Sequence, residues 1–164
     1  MQLDPIQFWA RHRPNAIALI SNNQITYRVL DQAINKVAAG LLAMGVPSGG
    51  LVAIQINSLP YLYLVECALH RMGLATVVVP SRLQPNDSLR SLEPDLFLTF
   101  EEANLGAHSK AALLSHEWMQ RVMEGPAVPA PAYNPKPQDR LRIVLSSGTT
   151  GTPKKILITR ASLE

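Results

Sequence analysis

Residues 49–80 spell out a strand, a helix and a second strand in about thirty positions. Gly49-Gly50 turns the chain into the apolar run Leu51–Ile56. Ser58 and Pro60 then open a helical stretch that closes at Gly73, and Ala75–Val79 is a second apolar run stopped by Pro80. Two strands joined through a helix cannot form a hairpin, so they pair in parallel through a right-handed crossover. That unit commits the chain to an α/β fold, with a mostly parallel sheet flanked by helices.

The segments around it carry their own signals. Asp4 suits a helix cap, Pro5 the first helical position, and Gln7 stands at capping-box spacing, with Pro14 ending the helix. Ala16–Ser21 and Gln24–Tyr27 flank Asn22-Asn23, which tolerate positive φ, and predict a small β-hairpin. From Arg28 the apolar residues Leu30, Ala33, Ile34, Val37, Ala38, Leu41 and Leu42 recur at three and four. This is an amphipathic helix with Thr26 as its cap and Gly45 as its stop. A short helix near Asn86–Leu92, a strand at Asp95–Thr99 and a helix over Ser115–Met123 follow. Five prolines between Pro126 and Pro137 exclude a regular ladder or helix there and predict an extended surface connection.

Composition narrows the function classes. The 164 residues fit one domain and carry a net charge of only +3, too small an excess to indicate a nucleic-acid or anionic-membrane partner. Residues 37–65 hold no charge, but Pro47, Gly49, Gly50, Asn57 and Pro60 interrupt them, so no membrane span is expected. No signal-peptide layout opens the chain. The single cysteine, Cys67, excludes an internal disulfide and a multi-cysteine metal site, and reads as core. No metal ligands are assigned. Charged residues are 16%, against about 25% in ordinary domains, and the mean hydropathy is +0.07. The expectation is a cytoplasmic protein with an unusually apolar surface, as a piece cut from a larger protein would have, and with it self-association through exposed apolar patches.

The chemistry is concentrated near the C-terminal end. Leu141–Leu145 is an apolar strand, Ile156–Thr159 another, and between them stands Ser146-Ser147-Gly148-Thr149-Thr150-Gly151-Thr152-Pro153-Lys154. Glycines let backbone N–H groups approach an anion, hydroxyls add neutral donors, and Lys154 adds a point charge. Together they suit a polyphosphate. The P-loop spacing is not met, because the fifth position after Gly148 is Pro153. The bland alternative is a Gly/Thr-rich turn between two strands; hairpin turns take two to five residues, and this one spends about seven.

This nine-residue segment resembles the phosphate-loop signature of the adenylate-forming enzymes, which include acyl-CoA synthetases, adenylation domains of peptide synthetases and luciferases. Pro14-Asn15-Ala16-Ile17-Ala18, Ile25-Thr26-Tyr27 and Leu41 through Gly45-Val46 resemble the family too. Gly73–Pro80 with Arg82-Leu83-Gln84-Pro85 leans toward the acyl-CoA synthetase branch. The resemblance is weakest over 100–137. It implies that residues 1–125 are the N-terminal α/β part of an AMP-binding domain, 126–138 a proline-rich connection, and 139–164 a strand, phosphate loop and strand leading into a helix at Ala161.

In that family a carboxylate attacks the α-phosphate of Mg-ATP, giving an acyl-adenylate and pyrophosphate, and the thiol of CoA or of a carrier protein's phosphopantetheine then takes the acyl group. By resemblance, Ser146, Ser147, Gly148, Thr149, Thr150, Gly151, Thr152 and Lys154 cradle the β- and γ-phosphates of ATP, with Thr149 and Thr150 as hydroxyl contacts and Lys154 as the charge. The family's adenine, ribose, Mg2+ and catalytic-lysine positions lie beyond Glu164, so the chain reads as an N-terminal fragment that is inactive alone, and Leu163-Glu164 admits a vector-derived origin. The other reading is a degenerate, non-catalytic module that binds a phosphate or a protein. Three residues depart from the family pattern. Leu145 stands where an aromatic is frequent, Lys155 where glycine is usual, and Arg160 where histidine is frequent.

The remaining polar residues read as structure. His12 sits with Arg11 and Arg13 at a helix end, where cations are favoured. His70, three residues after Cys67, has no further ligand pair and reads as packing. Glu101-Glu102 reads as a solvated loop, and Trp9 and Trp118 as packed helix residues.

Overall fold

The computed structural model describes residues 4–20, 23–80, 85–129, 131–146 and 154–163. Helix α1 (Pro5–His12) begins as its sequence predicts, with the Gln7 amide donating to Asp4 Oδ1 at 2.8 Å. Strands β1 (Ile17–Ile20) and β2 (Gln24–Thr26) pair antiparallel as the expected hairpin, whose turn residues Ser21 and Asn22 lie outside the described residues. Helix α2 (Tyr27–Ala43) is capped by Thr26 Oγ1, which accepts from the Val29 amide. It buries Leu30, Ala33, Ile34, Val37, Ala38 and Leu41, while Leu42 falls off the stripe and is 43% exposed. One hundred degrees per residue carries Leu42 past the edge of the buried face.

The central unit is the predicted one. β3 (Leu51–Gln55), α3 (Leu59–Arg71) and β4 (Ala75–Val78) form a parallel crossover, with Leu51 opposite Ala75 and Ile54 opposite Val78. Helix α4 (Pro85–Leu92) leads to β5 (Leu96–Thr99), which pairs parallel with the other side of β3. A 3₁₀ stretch, Glu102–Ala107, and a short strand β6 (Ala111–Leu113) come next. Neither has a periodic signal in the sequence, since three residues are too few to show alternation. Helix α5 (His116–Glu124), capped by Ser115, precedes the proline strap, which contains no helix or strand among its described residues. β7 (Arg140–Ser146) then pairs parallel with β4, and β8 (Lys154–Thr159) pairs antiparallel with β7. The end, expected to start a helix at Ala161, makes a 3₁₀ turn over Arg160–Leu163.

The strand order is β6-β5-β3-β4-β7-β8. Right-handed crossovers place connections that step one way across a sheet on one face, and those stepping back on the other. So α3 and α5 share a face with α2, over a core of Ile34, Leu41, Val52, Ile54, Leu69 and Met119. Helix α4 covers the opposite face, over Ala53, Val77, Leu89 and Phe97. Gly40 lets α5 approach α2: a Cβ there would stand 2.9 Å from Cζ2 of Trp118, which packs as expected. Trp9 does not pack as expected. It stays 37% exposed, with Arg13 5.6 Å over its ring, because α1 buries none of its residues fully.

Candidate functional site

β7 runs parallel to β3, β4 and β5, so all four release the chain at the same edge of the sheet. Ligands of open α/β sheets bind outside that carboxyl edge. The phosphate-loop segment leaves β7 there. Of the residues assigned to it, Ser147, Gly148, Thr149, Thr150, Gly151 and Thr152 lie outside the described residues, as does Pro153. Ser146 and Lys154 are placed by backbone register as cross-strand partners, the last β7 residue opposite the first β8 residue. They close the base of a seven-residue connection, so the loop hangs from an antiparallel hairpin. Lys154 is exposed.

The departures from the family pattern also find places. Lys155 turns away from the loop: its Nζ donates to the carbonyl of Ser91 near the end of α4. Successive strand residues point to opposite faces, which sends Lys154 the other way. Leu145 packs against the α4-side core. Arg160 follows the far end of β8 from Lys154, where Nη2 donates to the His70 carbonyl at 3.0 Å and the guanidinium lies 5.3 Å over the Tyr133 ring.

A second polar group at the carboxyl edge has no sequence motif. Asn104 Nδ2 donates to Gln55 Oε1 at 2.8 Å and to Glu101 Oε2 at 3.2 Å, and Asn57 Nδ2 donates to Glu101 Oε1. The Glu101 amide donates to Thr99 Oγ1 at 3.0 Å. Glu101 and Glu102 are exposed, as a solvated loop requires, and Glu101 additionally ties the end of β5 to β3. Among the described residues no three His, Cys, Asp or Glu side chains converge to hold a metal ion.

Beneath the sheet, α3 is pinned by buried charge. Arg71 Nε contacts Asp4 Oδ2 at 2.7 Å, and its Nη1 donates to Asn35 Oδ1 at 2.6 Å. Thr76 Oγ1 donates to Glu66 Oε1 at 2.8 Å, and Arg142 of β7 pairs with Glu66 Oε2. His70 stands 3.0 Å from Thr76 Oγ1. Burial, with Arg142 and Arg160 nearby, lowers the His70 pKa to about 4, so its ring is neutral near pH 7. Burial raises the Cys67 pKa to about 11, so this half-buried thiol stays protonated. No described helix is long and apolar enough to cross a membrane.

Comparison with known proteins agrees with this arrangement. A family model described as AMP-binding enzyme matches residues 6–163. The chain is 29% identical over 171 residues to a 4-chlorobenzoate–CoA ligase from Arthrobacter sp, covering 95% of this chain and 33% of the ligase. It is 30% identical over 166 residues to nonribosomal peptide synthetase 8 from Aspergillus fumigatus, covering 96% of this chain and 2% of the synthetase. The N-terminal subdomain of Klebsiella oxytoca NpsA, solved in complex with 3-hydroxyanthranilyl-AMSN, superimposes with a TM-score of 0.77 at 26% identity, over 94% of this chain and 39% of that one. The chain thus spans about one third of the length of the CoA ligase it matches. With the parallel sheet, the hairpin-borne loop and the match over 6–163 taken together, the chain belongs to the AMP-binding enzyme family, whose members among its relatives are acyl-CoA ligases and peptide-synthetase adenylation domains.

Proposed function

We propose that this chain is the ATP-phosphate-binding part of a ligase that activates a carboxylic acid as its acyl-adenylate. The observation that carries the reading is the seven-residue connection between β7 and β8, rich in Gly, Ser and Thr, at the carboxyl edge of a parallel sheet in a member of this family. In this reading Ser146, Ser147, Gly148, Thr149, Thr150, Gly151 and Thr152 present N–H and hydroxyl donors to the β- and γ-phosphates. Lys154 at the base of the loop neutralises charge on the departing pyrophosphate. The hydroxyl and lysine donor set fits a triphosphate. In this reading Mg2+ accompanies the ATP.

The acceptor is the thiol of CoA or of a carrier protein's phosphopantetheine; the stretch at Gly73–Pro80 leans toward the CoA ligases, and relatives of both kinds exist. Residues 1–125, 126–138 and 139–164 then serve as scaffold, connection and phosphate clamp of a cytoplasmic enzyme. Adenine, ribose and acyl contacts come from the two thirds of the relatives' length that this chain does not span, so the 164-residue chain alone does not complete adenylation.

The test is pyrophosphate release from the product of the whole reading frame, given Mg-ATP and a panel of carboxylic acids. Acid-dependent release that falls at least tenfold in Lys154→Ala is expected; Lys154 is exposed, so the variant keeps its fold. No release with any acid would leave a non-catalytic phosphate- or protein-binding module. Acyl-adenylate formation by the 164-residue chain alone would overturn its assigned inactivity.

A further inference from the structure

A cavity of about 560 Å³ opens between α1, α3 and the proline strap. It is within the range of small-molecule sites. Leu141, near the start of β7, lines it. The phosphate-loop segment begins after the other end of that strand, roughly 17 Å away by strand rise. The cavity is therefore separate from the proposed ATP site.

Its wall is built by one face of a helix and by the proline strap. From α3 come Tyr63, Cys67, His70 and Arg71, one stripe of the helix. From the strap come Pro131, Tyr133 and Pro135, which are half-buried, together with the exposed Pro129 and Ala132. Prolines offer no N–H, so this wall is flat and apolar. Tyr133 is held rigidly. Its hydroxyl donates to Asp139, and its ring lies where a Cβ on Gly73 would stand, 2.8 Å from Cε2.

The charge at the cavity is one-sided. Arg71 is matched by Asp4 and Asp31. Arg11 and Arg160 also line the cavity, and neither forms a salt bridge among the described residues, although Arg160 is near enough to Asp139 to help hold that carboxyl below its usual range. Arg160 keeps a buried Nε–H with no acceptor. A flat apolar wall beside two guanidinium groups complements an anion on an aromatic body.

We propose that this cavity binds a small aromatic organic anion through Arg160 and Arg11, with its ring against Tyr133 and the strap prolines. The probe is naphthalene-2-sulfonate, which carries no carboxylate to be adenylated, and its uncharged partner is naphthalene-2-sulfonamide. Two readouts apply to the full 164-residue chain: calorimetric titration, and the rate at which N-ethylmaleimide alkylates Cys67, the only cysteine. NMR shifts at His70 and Tyr133 locate the bound probe independently of thiol reactivity.

Saturable binding, several-fold protection of Cys67, and at least tenfold preference for the sulfonate are expected. Arg160→Gln should erase most of that preference, and Cys67→Phe, which fills the cavity, should abolish binding of both probes. Absence of saturable binding, equal affinity for the neutral probe, a preference that survives in the Arg11→Gln/Arg160→Gln double variant, or shifts confined to residues away from the cavity would each overturn the proposal. ATP-dependent activity plays no part in these readouts, so their failure leaves the ligase reading untouched.

Discussion

Arg71 is the residue whose removal should damage this fold most for one side chain. Its side chain is 4% exposed, and it holds three elements: α1 through Asp4, α2 through Asp31 and Asn35, and its own helix α3. Asp4 and Asp31 are each 22% exposed, so both carboxylates are largely out of water. Arg71→Met keeps much of the stem packing but leaves those carboxylates and the Asn35 carbonyl oxygen converging on a vacated, low-dielectric spot. Removing one partner of a buried pair costs about 3–5 kcal/mol. Against a total stability of about 5–15 kcal/mol, that is a large fraction.

With a urea slope of about 2 kcal/mol/M, the midpoint should fall by roughly 2 M. The two arms are unequal. Asp31 Oδ1 lies 2.8 Å from Nη2 yet makes no aligned hydrogen bond, whereas Asp4 accepts from Nε and also caps α1. Asp4→Asn should therefore cost more than Asp31→Asn. The Asp4→Asn/Arg71→Met double variant should recover part of the loss, because the repelling carboxylate is gone. Urea unfolding followed by circular dichroism measures the parent chain and the four variants. A loss below about 1 kcal/mol in Arg71→Met, or a double variant no more stable than the additive sum, would refute the reasoning.

Other consequences can be checked in the same way. His70 has a folded pKa near 4 against 6.5 unfolded, so between those values the unfolded chain binds more protons and stability rises with pH. About 3 kcal/mol should be lost as pH falls from 6.5 through 4, a slope that His70→Gln flattens; an unchanged slope in urea titrations of the variant would count against it. Gly73 and Gly45 both have φ near +80°, but only Gly73 has a ring in the way. Gly45→Ala should cost about 1 kcal/mol and Gly73→Ala visibly more, and equal costs would mean that Tyr133 yields freely. Edge strand β8 exposes Ile156 and Leu157, at 51% and 49%. Concentration-dependent self-association should appear in light scattering and weaken in Ile156→Lys; a monomer at every concentration would exclude it.

What was legible in the sequence followed the length of the signal. Seven apolar residues at helical spacing specified α2, and two apolar runs around α3 specified the parallel pair. Asp4, Thr26 and Ser115 accept the cap bonds that their positions predict. The short β6 and the 3₁₀ stretch before it were not legible, because their residues are placed by pairing with β5 and contact with α4, not by local pattern. The charged interior was hidden for a related reason. Arg71 is 67 residues from Asp4, and Arg142 is 76 residues from Glu66, so only the folded arrangement brings these partners together. His70 and Cys67 read correctly as packing residues, but their place on a cavity wall depends on a strap sixty residues later.

The position of the phosphate loop follows from connectivity more than from the loop itself. Once β3 and β4 are parallel, every further strand that pairs with them in parallel must release its chain at one edge. β7 reaches β4 only after the chain has gone out to β6 and returned through α5, and β8 is the last strand of the sheet, so the β7–β8 connection leaves from that end of the carboxyl edge. β8 then reverses and makes the base of that turn a cross-strand pair, Ser146 with Lys154. In the proposed reading, fixing both ends of this connection by ladder hydrogen bonds limits the entropy lost on binding a phosphate. The register also puts Lys154 and Lys155 on opposite faces, and Lys155 is held by the Ser91 carbonyl. Lys154→Ala thus removes a charge at the base of the connection without touching the contact that anchors β8 to α4.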